Sequence, residues 1–308
     1  MKLFFLSLLS FFFIATSTLA ITKFIPAFKN EISKVAPTEN FENTSLPMLP
    51  VLTGSNPSPS FTAHSVLAVD VSSQVNLYEK DPDSRVLPAS TTKIVTALVA
   101  MDFYLPAEIL TVGEEARIEG QKMGLVKGER ILVEDLLYGL LVFSANDAAE
   151  VLANNYPGGR ASFITAMNLK AEDLNLFNTS FNNPSGLDGN GLMTSARDLV
   201  RVAEFAMENS LFRKIVGTEE KVVEGSEGKF KHKLVNLNEL LGKEEGVLGV
   251  KTGWTEGARE NLVTYVDRDG KKIIIVVLGS QDRFGETKVL LDWIFENYEW
   301  KEVTGYSS

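Results

Sequence analysis

The 308-residue chain contains no cysteine and only two histidines, His64 and His232. The first absence excludes disulfides, thiolate metal sites and a cysteine nucleophile, while leaving the cellular compartment open. The second, together with the lack of any G-x-S-x-G stretch, argues against hydrolysis through a Ser-His-Asp relay. Positive charge is also in short supply: 30 Lys and Arg stand against 40 Asp and Glu, a formal charge of -10. Such a surface repels nucleic acid and anionic membranes at long range, so neither is an expected partner. What is present is a 44% apolar composition, ample for a packed core.

The opening MKLFFLSLLSFFFIATSTLA places Lys2 ahead of an apolar run from Leu3 to Ala15, broken only by Ser7 and Ser10, and ends on Thr18-Leu19-Ala20. Residues 1–20 therefore read as an export signal with a small-residue cleavage site. The run is shorter than the roughly 20 residues a helix needs to span a bilayer, which favours cleavage over retention as an N-terminal anchor. In both cases the rest of the chain leaves the cytoplasm, for the periplasm or the outer cell surface. Residues 21–60, crowded by Pro26, Pro37, Pro47, Pro50, Pro57 and Pro59, read as a linker. A folded domain is expected over 61–300 and a tail over 301–308.

Within that domain, SVLAVDV and QVNLYEK have the composition of two strands in a hairpin. TTKIVTALVAMDF has the apolar spacing of a buried helix, with Ser90 at its first turn. VEDLLYGLLVFSANDAAEVLANNY reads as two helices broken at Ser144, and ASFITAMNLKAEDLNL and SARDLVRVAEFAM as two more. Three strand-like runs follow, GVLGVKTGW, ENLVTYVDR and KKIIIVVLGS, with Asp269-Gly270 as a turn, then a closing helix TKVLLDWIFENY after which nothing folded is expected.

Three short motifs fall at informative places: Ser90-Thr91-Thr92-Lys93, Ser144-Ala145-Asn146 and Lys251-Thr252-Gly253. An alcohol becomes a nucleophile when a nearby base takes its proton, and residues three apart share one face of a helix. A lysine can be that base if burial and a neighbouring cation disfavour its charged form. Ser90, Lys93 and Lys251 supply those parts, and a helix start at Ser90 adds backbone N–H groups for a developing oxyanion. Singly the motifs are weak, since Ser226-Glu227-Gly228-Lys229 and Ser180-Phe181-Asn182 spell the same patterns. An ordinary helix start, a helix cap and a polar strand end would account for each in isolation.

The surrounding sequence separates these readings. LPASTTKIVTALVA, MNLKAEDLNLFNTSFNNPSGLDGNGLMTSARDLVRVA and NLNELLGKEEGVLGVKTGWTEGARENLV resemble the serine-type D-alanyl-D-alanine carboxypeptidases, the low-molecular-weight penicillin-binding proteins, over roughly residues 62–296. The resemblance implies an α/β (α+β) fold of the penicillin-binding-protein and β-lactamase type, an antiparallel sheet flanked by helices with a helical subdomain. It also implies Ser90 as the acylated nucleophile, Lys93 as its base and Ser144 as a proton relay hydrogen-bonded to the lysines. Asn146 would hold the substrate amide, Lys251 supply positive potential, and Thr252 bind the terminal carboxylate. Gly253 would admit a ligand backbone, and the N–H groups of Ser90 and Trp254 would form the oxyanion hole. Peptidoglycan stem peptides would be the substrates and β-lactams covalent inhibitors, with no metal or organic cofactor.

Two departures from the family pattern stand out. Leu237 replaces an arginine that some relatives place near the substrate carboxylate, leaving Arg259 and Arg283 as candidate cations. Arg259 itself falls where relatives usually carry glycine. A β-lactamase is disfavoured, because Ala171 stands where its E-x-x-L-N element would need glutamate and Ser144-Ala145-Asn146 replaces S-D-N. An endopeptidase or transpeptidase of the same family, and a non-catalytic wall-binding module, remain the other readings.

Overall fold

The computed structural model describes residues 48–302; the expected export signal, the expected linker as far as residue 47 and the expected tail from residue 303 lie outside the described residues. The described chain opens on β1 (Leu49–Leu52), then forms the expected hairpin of β2 (Ser65–Asp70) and β3 (Asn76–Lys80). A 3-10 turn over Ala89–Thr92 runs directly into α1 (Lys93–Phe103). The helical middle holds β4 (Ile109–Thr111), β5 (Arg130–Leu132), α2 (Val133–Leu141), α3 (Asn146–Asn154), α4 (Gly159–Asp173), α5 (Ala196–Glu208) and α6 (Ser210–Val216). Then come β6 (Glu220–Glu224), β7 (Lys231–Val235), β8 (Val247–Thr255), β9 (Arg259–Arg268), β10 (Lys271–Ser280), α7 (Arg283–Asn297) and β11 (Tyr298–Lys301).

The central sheet is antiparallel with five strands in the order β3-β2-β10-β9-β8. Its middle strand explains the layering. In the run IIIVVL of β10 every side chain is buried, because alternate residues enter different cores. Ile273, Ile275 and Val277 pack with Leu290, Leu291 and Ile294 of α7, whereas Ile274, Val276 and Leu278 join the core of the helical block. Each such side chain contributes on the order of 1.5–3 kcal/mol by leaving water. With both faces covered and β2 and β9 on either side, β10 is locked centrally, and β8 is left as an edge strand, against which the Ser90 turn packs.

The sequence expectations fail where elements are short or polar. Residues 48–60, assigned to the linker, include β1, which pairs antiparallel with β11 from Leu49 opposite Lys301 to Leu52 opposite Tyr298. The prolines that suggested a linker do not prevent this, because a two-stranded ribbon has unpaired edges where a missing N–H costs nothing. By the same pairing, folded structure does follow the closing helix. Helix α6 spans seven residues, too few for a helical period to register, and is secured by Asn209 Oδ1 accepting from the N–H groups of Leu211 and Phe212. The Ser226 motif lies in the turn between β6 and β7, and Ser180 in a lone bridge to Met193; neither reaches the site described next.

Candidate active site

Ser90 sits in the 3-10 turn and Lys93 begins α1, so the three-residue spacing brings both side chains to one face. The turn is tightly held. Thr91 Oγ1 donates to Pro88 O at 2.7 Å, and Asn261 of β9, fully buried, donates to Leu87 O at 3.0 Å. Lys93 is fully buried, and its Nζ contacts three oxygens: Ser90 Oγ at 2.9 Å, Asn146 Oδ1 at 2.8 Å and the carbonyl of Ser185 at 2.5 Å. Burial pushes its pKa well below the usual lysine value, and the charge of Lys251 pushes the same way against Glu150 and Asp147.

Lys251 comes from the edge strand β8. It too is buried, donates to Thr252 O at 3.0 Å, and is lowered to about 7 by burial and by Arg283. Arg283, at the start of α7, donates to Gly253 O at 2.9 Å, and its Nε finds no partner among the described residues. These groups converge on a cleft of about 810 Å³ lined by Ser90, Ser144, Asn146, Thr252, Gly253, Trp254 and Arg283. The geometry places a hydroxyl beside a lysine whose charged form burial disfavours, next to a cationic wall suited to a carboxylate.

Several sequence expectations are refined here. Ser144 lines the cleft at the break between α2 and α3 with a left-handed φ of 60°. The expected bonds to the lysines are not formed: Lys93 Nζ is engaged as described above, and Lys251 Nζ donates to Thr252 O. Asn146 accepts from Lys93 through its oxygen and donates through Nδ2 to Glu119 O at 2.8 Å, so it holds Lys93 in place as well as facing the cleft. Gly253 is closely packed by the chain itself, since a Cβ there would lie 3.1 Å from Ser90 N and 3.2 Å from Pro88 O and would press the turn back by a few tenths of an ångström. Of the two candidate cations, Arg283 lines the cleft. Arg259 instead opens β9 opposite Thr255 with a φ of 60°, the left-handed conformation for which glycine is the usual choice.

Sequence reasoning passed over the Ser185 carbonyl, Asn261 and Asp147. Asp147, the neighbour of Asn146, is fully buried and accepts from the backbone N–H groups of Met123, Gly124 and Leu125 at 2.9–3.1 Å. It thereby anchors the loop that supplies Glu119 O. The only available signal was its place beside a motif asparagine.

Residues 52–282 match the peptidase S11 family, described as D-alanyl-D-alanine carboxypeptidase. The chain is 33% identical over 247 residues to the D-alanyl-D-alanine carboxypeptidase DacF of Bacillus subtilis, covering 77% of this chain and 63% of the relative. It is 33% identical over 251 residues to DacB2 of Mycobacterium tuberculosis, covering 79% of this chain and 85% of the relative. It therefore spans under two thirds of the length of the first relative and most of the second. The crystal structure of the Streptomyces K15 DD-transpeptidase superposes with a TM-score of 0.74 at 30% identity, covering 78% of this chain and 100% of that one. Both the fold and the sequence agree, and the chain belongs to the D-alanyl-D-alanine carboxypeptidase family.

Proposed function

We propose that this chain is an exported serine-type carboxypeptidase that removes the terminal D-Ala from peptidoglycan stem peptides through an acyl-enzyme on Ser90. The supporting observation is the buried Lys93 Nζ, depressed in pKa and 2.9 Å from the Oγ of Ser90, which lines a cleft that also presents Thr252 and Arg283. The substrate strand would lie along the free edge of β8 and gain main-chain hydrogen bonds. Its terminal carboxylate would meet Thr252 Oγ and Arg283. Ser90 Oγ attacks the carbonyl of the penultimate D-Ala while its proton passes to Lys93. The backbone N–H groups of Ser90 and Trp254 would stabilise the oxyanion. The C–N bond then breaks, D-Ala leaves with the proton as an amine, and water hydrolyses the ester. A β-lactam carbonyl would acylate the same oxygen. No step calls on a metal or organic cofactor.

The test is mass spectrometry of monomeric pentapeptides and cross-linked dimers after incubation with the full chain and with Ser90→Ala. Loss of one alanine from monomers, absent in the control, is the expected result. Cleaved dimers instead would make the chain an endopeptidase, and no Ser90-dependent product would sink the hydrolase reading.

The carboxylate clamp carries its own prediction. A hydrogen bond to a charged group contributes about 1.5–3 kcal/mol, so Arg283→Gln should lower kcat/KM on D-Ala-D-Ala peptides by roughly 10- to 100-fold. Steady-state kinetics on a C-terminally amidated peptide give the comparison. An equal proportional loss on that peptide would remove Arg283 from carboxylate recognition.

A further inference from the structure

Lys93 Nζ faces two partners that can only accept a hydrogen bond, the Asn146 amide oxygen and the Ser185 carbonyl, and one that can also donate, Ser90 Oγ. A neutral amine has two N–H bonds and one lone pair. With both N–H bonds committed to the obligate acceptors, the lone pair is left for the Ser90 hydroxyl. The Ser185 carbonyl therefore helps decide whether Lys93 receives the serine proton or merely donates to its oxygen.

That carbonyl belongs to a loop built around one side chain. Asn183 Oδ1 accepts from Ser185 N at 3.1 Å, Ser185 Oγ at 3.1 Å and Gly186 N at 2.7 Å, while Asn183 Nδ2 donates to Leu187 O at 2.9 Å. The bond to the N–H two residues on is an Asx-turn. On the other side, Thr96 Oγ1 of α1 donates to Pro184 O at 2.7 Å. The peptide between Pro184 and Gly186 is thus held from both flanks with its Ser185 oxygen against the lysine.

We propose that Asn183 is a positioning residue: its side chain holds the Ser185 carbonyl on Lys93 Nζ and so aims the lysine lone pair at Ser90. This rests on Lys93 acting as the base for Ser90, the reading given above.

The test measures acylation by a chromogenic β-lactam, and kcat and KM on a D-Ala-D-Ala peptide, across pH for the full chain, Asn183→Ala, Asn183→Asp and Lys93→Met. The wild-type and Lys93→Met arms check the underlying reading alone; near-normal acylation in Lys93→Met removes the base and this inference with it. If that reading holds, Asn183→Ala should lose about 10- to 100-fold in acylation and kcat with little change in KM, as expected for misplacement by about 1 Å. The profile carries a second signature. Lys93 is also faced by Lys251 of β8 and by Glu150 and Asp147 of α3, all left in place by the substitution. Losing one acceptor weakens the charged form, so the acid limb should move to lower pH even as kcat falls. Simple loss of folded enzyme would not move it. Asn183→Asp keeps the Asx oxygen and should retain acylation within about fivefold. If Asn183→Ala does not fold, Thr96→Val removes the other flank and should slow acylation at least threefold. Wild-type acylation and an unmoved limb in a folded Asn183→Ala, or in Thr96→Val where it is the variant tested, would overturn the proposal.

Discussion

Lys93→Met should acylate Ser90 roughly 10²–10⁴-fold more slowly than wild type, the range a positioned general base contributes, and should melt at a higher temperature. Both effects have one origin. Lys93 is fully buried and its ammonium form is disfavoured chiefly by desolvation, then by Lys251. The depression favours the free amine that a base needs, and it also means that, between the folded value and the ordinary one, the unfolded chain binds a proton the folded chain does not. Stability then rises with pH across the interval between the folded value and the ordinary 10.5. Below the folded value the penalty is present in full; above 10.5 it is gone. Methionine fills a similar volume without an ionisable group, so the gain in melting temperature should be largest at neutral and lower pH and should shrink as pH approaches 10.5. Acylation kinetics with a chromogenic β-lactam and thermal melts across pH read the two halves separately. A melting gain of the same size at all pH values would mean that packing, not charge burial, limits stability at this position.

The parts of this site that could be read in the sequence are those encoded locally. Ser90 and Lys93 are three residues apart on a strongly apolar helix, Ser144 marks a visible break between two helices, and Lys251 to Gly253 end an apolar strand. Local spacing conveys all three. The Ser185 carbonyl could not be found that way, because it is a backbone atom 92 residues from the lysine it faces. Asn183 carries no local signal either, because its effect on Lys93 runs through the Ser185 backbone. Arg283 was visible only as one of two cations, and it took its hydrogen bond from the start of α7 to the Gly253 carbonyl of β8 to separate it from Arg259. The same holds for the fold. The long strands and helices follow from period, whereas β1 and β11 are four residues each and joined across most of the chain. Their pairing is a tertiary fact that no window of sequence contains. Ser144 marks a further boundary: its place in the cleft could be anticipated, but its hydrogen-bond partners could not.

Gly186→Ala should be the most damaging single-methyl change near the site, costing about 3–5 kcal/mol of stability, the range reached when backbone strain and a core clash combine. Gly186 has a φ of +83°, and a Cβ there would fall well inside van der Waals distance of the Ala89 carbonyl. Ala89 is fully buried and has a left-handed φ of 48°, and its Cβ lies 3.1 Å from where a Cβ on Gly253 would be, so both glycines leave space that the turn occupies. The Ser90 turn is therefore wedged against two glycines, one from the loop that carries Ser185 and one from the edge strand. Gly270→Ala isolates the strain, since that glycine has a φ of +80° and nothing within 4 Å of its missing Cβ. It should cost only the ~1–2 kcal/mol of a left-handed L-residue. Denaturant unfolding of the two variants gives the difference, which is the contribution of the wedge alone. Acylation supplies the functional half: Gly186→Ala should slow it even under conditions where the variant is fully folded, because Ser90 is the next residue after the one displaced, while Gly270→Ala should leave it unchanged. Equal unfolding free energies for the two variants would show that the turn can yield, and the rigidity assigned to the Ser90 position would have to come from elsewhere.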